Sequence, residues 1–203
     1  MIRKQIDRRT LLGRAASLAA AASLCNCGLG NSARAADGAQ PILPSLRPGA
    51  PRLEPVNFQL VGPGGTALSL ATLRGRPFIL HLWATWCPPC RLELPALNAF
   101  IEKTGSSIPV IPVAVASPLP KVMIFLAQGN LPHIAPWTLG QHEFSQWFAS
   151  GGTSGEPSLP MTCVIDAQGR LRASVEGEMA WAAPDTRASL EKILSDLQAS
   201  KPA

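Results

Sequence analysis

Three observations predict a three-layer α/β/α sandwich built on a mixed central sheet. From Val56 onward, apolar runs of strand length alternate with segments of helical period. The chain then closes on a hairpin followed by a helix. The roughly 150 residues involved are enough for one full core.

Taken in order, Asn57-Phe58-Gln59-Leu60 alternates as a strand does, and Gly62-Pro63-Gly64-Gly65 is a turn. Phe78 to Trp83 is a continuous apolar run behind the loop Arg74-Gly75-Arg76-Pro77 and suits a buried strand. A helix is predicted from Pro88 to Lys103, with Leu97, Phe100 and Ile101 on one stripe. Val110 to Ala116 reads as the next strand, followed by a helix near Lys121 to Gln128 and a short one from Glu143 to Ala149. Met161 to Ile165 and Leu171 to Val175 are strands joined by the turn Asp166-Ala167-Gln168-Gly169. Pro184 to Gln198 is the closing helix, with Pro184 tolerated in its first turn.

Ahead of this domain, residues 1–35 read as a signal peptide. Charged residues from Arg3 to Arg9 precede an apolar run from Ala15 to Leu24 and a small-residue site at Ala33-Arg34-Ala35. Arg8-Arg9-Thr10-Leu11-Leu12 resembles a twin-arginine export signal, with Asp7 and Thr10 where the strongest versions differ. The twin-arginine and general secretory routes both stay open. Leu24 is too large for the residue before a lipidated cysteine, so cleavage after Ala35, which removes Cys25 and Cys27, is expected rather than a lipid anchor. Residues 36–52, crowded with proline, read as a stiff extended linker, and residues 53–200 as the folded domain.

The charge distribution argues against nucleic acid. The net charge is +5, but the leader holds six of the eighteen Lys and Arg residues against Asp7 alone. The rest of the chain is balanced, so no basic binding face is expected.

Export also sets the redox setting. Of five cysteines, Cys87, Cys90 and Cys163 survive cleavage of the leader, into a compartment where paired cysteines become disulfides. A bridge between Cys87 and Cys90 closes so short a loop that it contributes little stability, so chemistry is the better reason for the pair. In Trp86-Cys87-Pro88-Pro89-Cys90 the two thiols sit at a predicted helix start. Unpaired amide hydrogens and the partial positive charge there stabilise a thiolate, so Cys87 should titrate below the free value of about 8.5. Cys87 is thus the expected nucleophile and Cys90, one turn inward, the resolving thiol. Pro88 and Pro89 fit the first helical turn. Zinc would need four ligands, and Cys163, His81, His133 and His142 supply no second ligand pair, so no metal is expected.

Two further polar residues fall close to the pair. In a helix without a kink, Cys90, Glu93, Leu97 and Phe100 share one face, so a carboxyl lies beside the thiols on an apolar stripe. The alternative is a solvated surface glutamate, with Pro95 rotating the phase. His81 shares a strand face with Trp83 and lies under the site, either as a satisfied core histidine or as a buried base that tunes Cys90. Cys163 is expected to act as a small buried hydrophobe.

The stretch from Leu80 to Pro95, with its Trp-Cys-Pro-Pro-Cys centre, resembles the active-site segment of the TlpA/ResA-like group of exported, thioredoxin-fold reductases. The similarity extends to Ser158–Arg170 and covers about residues 53–198. A bare C-x-x-C would carry much less. The resemblance implies a thioredoxin-like fold, a cis-proline at Pro160 against the cysteine pair, and a Leu159 backbone that pairs with an incoming peptide. It makes Trp86, Pro88, Leu159 and Pro160 substrate-binding residues, Glu93 a functional acid, and Pro95 the proline that kinks the active-site helix. His81 is a departure, since thioredoxins carry a buried aspartate there and this group often carries asparagine. Trp181 and Glu178 resemble a family segment with no chemistry assigned.

The implied activity is thiol–disulfide exchange, reducing disulfides of envelope clients such as an apocytochrome c or a copper-site protein. A membrane thiol donor would supply electrons to a periplasmic monomer with no cofactor beyond the cysteine pair. A disulfide oxidase running in reverse and a copper metallochaperone using the same dithiol stay open as alternatives, since direction rests on a small difference in potential and dithiols suit Cu(I).

Overall fold

The computed structural model describes residues 55–150 and 158–199; the predicted leader and linker lie outside them. The described chain forms seven strands and four helices. These are β1 (Gln59–Val61), β2 (Ala67–Ser69), β3 (Phe78–Trp83), α1 (Pro88–Thr104), β4 (Val110–Val115), α2 (Leu119–Gln128), β5 (Trp137–Leu139), α3 (Gln141–Ala149), β6 (Met161–Ile165), β7 (Leu171–Glu176) and α4 (Pro184–Ala199). The sheet runs β2-β1-β5-β4-β3-β6-β7. β3, β4 and β5 are parallel, and every other pairing is antiparallel, so the sheet is mixed as expected.

Two cores form on its faces. Ile79 and Trp83 of β3 meet Leu94, Leu97, Val122, Leu126, Leu190 and Leu194 from α1, α2 and α4. Phe78, Leu80 and Leu82 of the same strand meet Phe144 and Trp147 of α3, together with Phe58 and Leu60. Covered on both faces, β3 and β6 are apolar at most positions, His81 and Thr162 being the buried polar exceptions, which is why they read as runs without alternation.

Two short strands, β2 and β5, were not expected from the sequence. β5 is three residues following Pro132 and Pro136, too few to show a period. It exists through its neighbours, pairing Val113 with Trp137 and Val61 with Thr138. The Thr138 hydroxyl also donates to the Val61 carbonyl at 3.0 Å. The predicted hairpin turn is present, with Gly169 at φ 82° and Asp166 accepting from the amides of Gln168 and Arg170 at 2.9 Å each.

Cys163 is free and fully buried on β6. Burial pushes its thiol well above the ordinary range, with the charge of Glu176 adding to this. The thiol therefore stays neutral, and iodoacetamide at neutral pH should leave Cys163 unlabelled in the native fold while labelling it in denaturant. Cys163→Ser should lower stability by about 1–3 kcal/mol if the buried hydroxyl finds no partner. Native labelling at the rate of an exposed thiol would contradict the burial.

Candidate active site

Helix α1 starts where the chain leaves β3 through Ala84, Thr85 and Trp86. Cys87 is its N-cap in extended conformation (φ −92°, ψ 108°), with Pro88 and Pro89 in the first turn, where their missing N–H groups cost nothing. The backbone N–H of Cys90 donates to Cys87 Sγ at 3.3 Å, the contact a capping side chain makes. Cys87 and Cys90 are joined as a disulfide with Cα atoms 5.3 Å apart. Both residues are buried, Cys87 3% exposed and Cys90 0%, with Cys87 at the helix N-terminus next to the exposed Trp86 and Cys90 one turn further in.

Across from the pair, the Leu159–Pro160 peptide is cis, Pro160 is buried and Leu159 half-buried. Cys87 Sγ lies 3.6 Å from the Leu159 carbonyl. A disulfide sulfur has no hydrogen, so this is a packing contact here; the Cys87 thiol of the reduced form could donate to the same oxygen. Trp86 is 60% exposed, and its indole N–H donates to the Ala116 carbonyl at 3.1 Å. Pro88 is exposed beside it.

Ala116 occupies the left-handed region at φ 47°, where non-glycine residues are uncommon, immediately after β4. Next to it Ser117 Oγ accepts from the Thr85 amide at 3.0 Å and donates to the Val115 carbonyl at 3.0 Å. These contacts pin the loop before Cys87 to the end of β4. Neither residue was predicted for the site, since small side chains here act through backbone geometry and carry no motif.

Glu93 points inward, with its residue 6% exposed; the surface alternative does not hold. Pro95 lies within α1, yet Cys90, Glu93, Leu94, Leu97, Phe100 and Thr104 keep one buried face through it. Glu93 Oε2 accepts from the Met179 backbone N–H at 2.8 Å. His81, also fully buried, places Nε2 3.2 Å from Glu93 Oε1 and Nδ1 3.0 Å from Thr162 Oγ1. The approach of Nε2 to Oε1 is close but off line for a hydrogen bond, and neither atom has another partner among the described residues. Trp181 packs edge-on to the His81 ring with centroids 5.6 Å apart, and against Phe100 at 5.2 Å. Met179 thus completes the surroundings of Glu93 and Thr162 and Trp181 those of His81, while Glu178 is exposed. Met179 contributes through its backbone, which no side-chain pattern reveals.

A disulfide that can open at a helix N-terminus, on a mixed-sheet sandwich and against a cis-prolyl loop, defines the protein as a thiol–disulfide oxidoreductase of thioredoxin-like fold. Within that class the chain belongs to the Redoxin family, which it matches over residues 44–194. It is similar to the thiol-disulfide oxidoreductase ResA of Bacillus thuringiensis (strain Al Hakam), 28% identical over 126 residues, covering 62% of this chain and 69% of that protein. A shorter stretch of 40 residues is 50% identical to the thiol:disulfide interchange protein DsbE of Pseudomonas fluorescens biotype C, covering 20% of this chain and 22% of that one. Among solved structures, a thioredoxin-family thiol:disulfide interchange protein from Chlorobium tepidum TLS superposes with TM-score 0.50 at 26% identity, covering 73% of this chain and 97% of that one. A secreted thiol-disulfide isomerase from Corynebacterium glutamicum superposes with TM-score 0.54 at 22% identity, covering 72% and 90%, and supports the fold alone.

Proposed function

We propose that the protein works outside the cytoplasm, in the periplasm, and reduces disulfides of envelope clients of the apocytochrome c or copper-site type. The observation that carries this reading is the Cys87 sulfur at the helix N-terminus, 3.6 Å from the Leu159 carbonyl, with the exposed Trp86 on the same loop. A client strand laid along Leu159 would bring its own disulfide to Cys87, with Trp86, Pro88 and Pro160 bounding the contact. The basic leader supports the location, and the ResA and DsbE relatives, a thiol-disulfide oxidoreductase and a thiol:disulfide interchange protein, support disulfide exchange as the chemistry.

In the reducing direction the Cys87 thiolate attacks a client disulfide, forming a mixed disulfide and releasing one client thiolate. Cys90, deprotonated with Glu93 as the receiving group, then attacks Cys87 Sγ. The second client thiol leaves and the Cys87–Cys90 disulfide closes. Two electrons from a membrane thiol donor restore the dithiol, and a monomer with no further cofactor suffices for the cycle.

Expressing Cys90→Ala in the native envelope tests this, because the first step remains and the resolving step is gone. Mass spectrometry of the trapped mixed disulfides should identify exported proteins whose cysteines serve haem or copper sites. Recovery of cytoplasmic proteins alone would contradict the reading.

A further inference from the structure

We propose that His81 is a positioning residue for Glu93, holding the carboxyl through a proton carried on Nε2 and shared with Oε1. Both atoms are buried, 3.2 Å apart, and without another partner among the described residues, whereas buried polar groups are nearly always paired. A bare ring nitrogen facing a carboxylate oxygen would leave two acceptors in contact, so a proton belongs between them. The neighbours choose its place. Thr162 Oγ1 sits 3.0 Å from Nδ1, and a hydroxyl donating there leaves the ring hydrogen on Nε2, where a small turn of the carboxyl brings Oε1 into line. Trp181 edge-on to the ring and the Met179 N–H on Oε2 fix the other sides.

The consequence concerns the resolving step. Glu93 lies one turn along α1 from Cys90 on the same buried face, at the spacing that brings helical side chains together. As Cys90 resolves the mixed disulfide, its thiol proton passes to the carboxyl. The Cys90 sulfur bonds to Cys87 Sγ, and the client leaves as a thiolate that is protonated from solvent. The carboxyl returns its proton to Cys90 when the donor next opens the disulfide. His81 neither gains nor loses a proton over the cycle; it keeps the carboxyl fixed one helical turn from Cys90.

This rests on the reading of Glu93 as the proton carrier, and the test separates the two. Asparagine reproduces the Nδ1 position of histidine but does not reach Glu93, whereas glutamine reproduces the Nε2 position. Exchange with glutathione disulfide, followed by stopped flow, should be slowed about 10-fold by His81→Asn. His81→Gln should stay close to wild type. Combining His81→Asn with Glu93→Gln should add little to the slower single variant, as for two groups acting as one unit. Wild-type rates in His81→Asn beside a slow Glu93→Gln would overturn the assignment of His81 alone. A wild-type rate in Glu93→Gln would remove the proton carrier and this proposal with it.

Because His81 lies on a central strand, a second measurement uses the unaltered protein. In nitrogen-15 spectra the His81 ring should carry its hydrogen on Nε2, in slow exchange with water. That signal should shift in Glu93→Gln. A hydrogen on Nδ1 with Nε2 bare would overturn the proposal.

Discussion

Replacing Cys87 with serine should abolish disulfide exchange, a loss of about three orders of magnitude or more, as when a covalent nucleophile is removed. A hydroxyl at this position stays protonated at neutral pH and cannot form the mixed disulfide, so neither half of the cycle starts. The fold should survive. Serine is a good N-cap and can accept the Cys90 amide as the sulfur does. Losing a bridge between residues three apart costs little loop-closure stabilisation. Insulin reduction and thermal unfolding, measured together, check both halves of the expectation. Activity retained in Cys87→Ser, with Cys90 forming the adducts, would reverse the two roles.

The second large effect is expected at Glu93. Glutamine has nearly the same shape: its amide oxygen can accept the Met179 N–H, and its NH₂ can donate to His81 Nε2 once the ring hydrogen moves to Nδ1, where Thr162 Oγ1 can accept it, so Glu93→Gln should unfold near the wild-type midpoint. It cannot exchange a proton, so disulfide exchange should fall about 10-fold or more. Glu93→Ala is the poorer test. It leaves the buried Met179 N–H without an acceptor, which costs about 1–3 kcal/mol and mixes stability with rate. An exchange rate in Glu93→Gln equal to wild type would leave the cysteine pair and the Pro160 loop to carry the chemistry without an internal acid.

How far the sequence reaches depends on whether a signal is local. Helix α1 begins at Pro88 as expected, because two prolines after a cysteine mark a helix start through backbone sterics alone. β3 and β6 match their predicted runs residue for residue, since strands covered on both faces are apolar at most positions. The buried position of Glu93 was legible from its spacing to Cys90 and Leu97, and Pro95 did not take that face out of the core. β5 was not legible, because three residues held by cross-strand pairing leave no period.

The same distinction runs through the site. Cys87 and Cys90 announce themselves by spacing, and the cis Leu159–Pro160 bond was expected only through family resemblance, since spacing cannot show it. His81 and Thr162 are 81 residues apart and meet only because β3 and β6 pair in that register. The Met179 amide and the left-handed Ala116 are backbone contributions, invisible until the chain is folded.

Every step of the exchange needs Cys87 to be the reactive thiol and Cys90 the shielded one. The most direct measurement is a short iodoacetamide pulse on the reduced protein at pH 6 to 7, with each modified cysteine located by mass spectrometry. Cys87, the N-cap residue of α1, should be alkylated many times faster than Cys90 one turn further in. Equal labelling of the two cysteines, or faster labelling of Cys90, would contradict it.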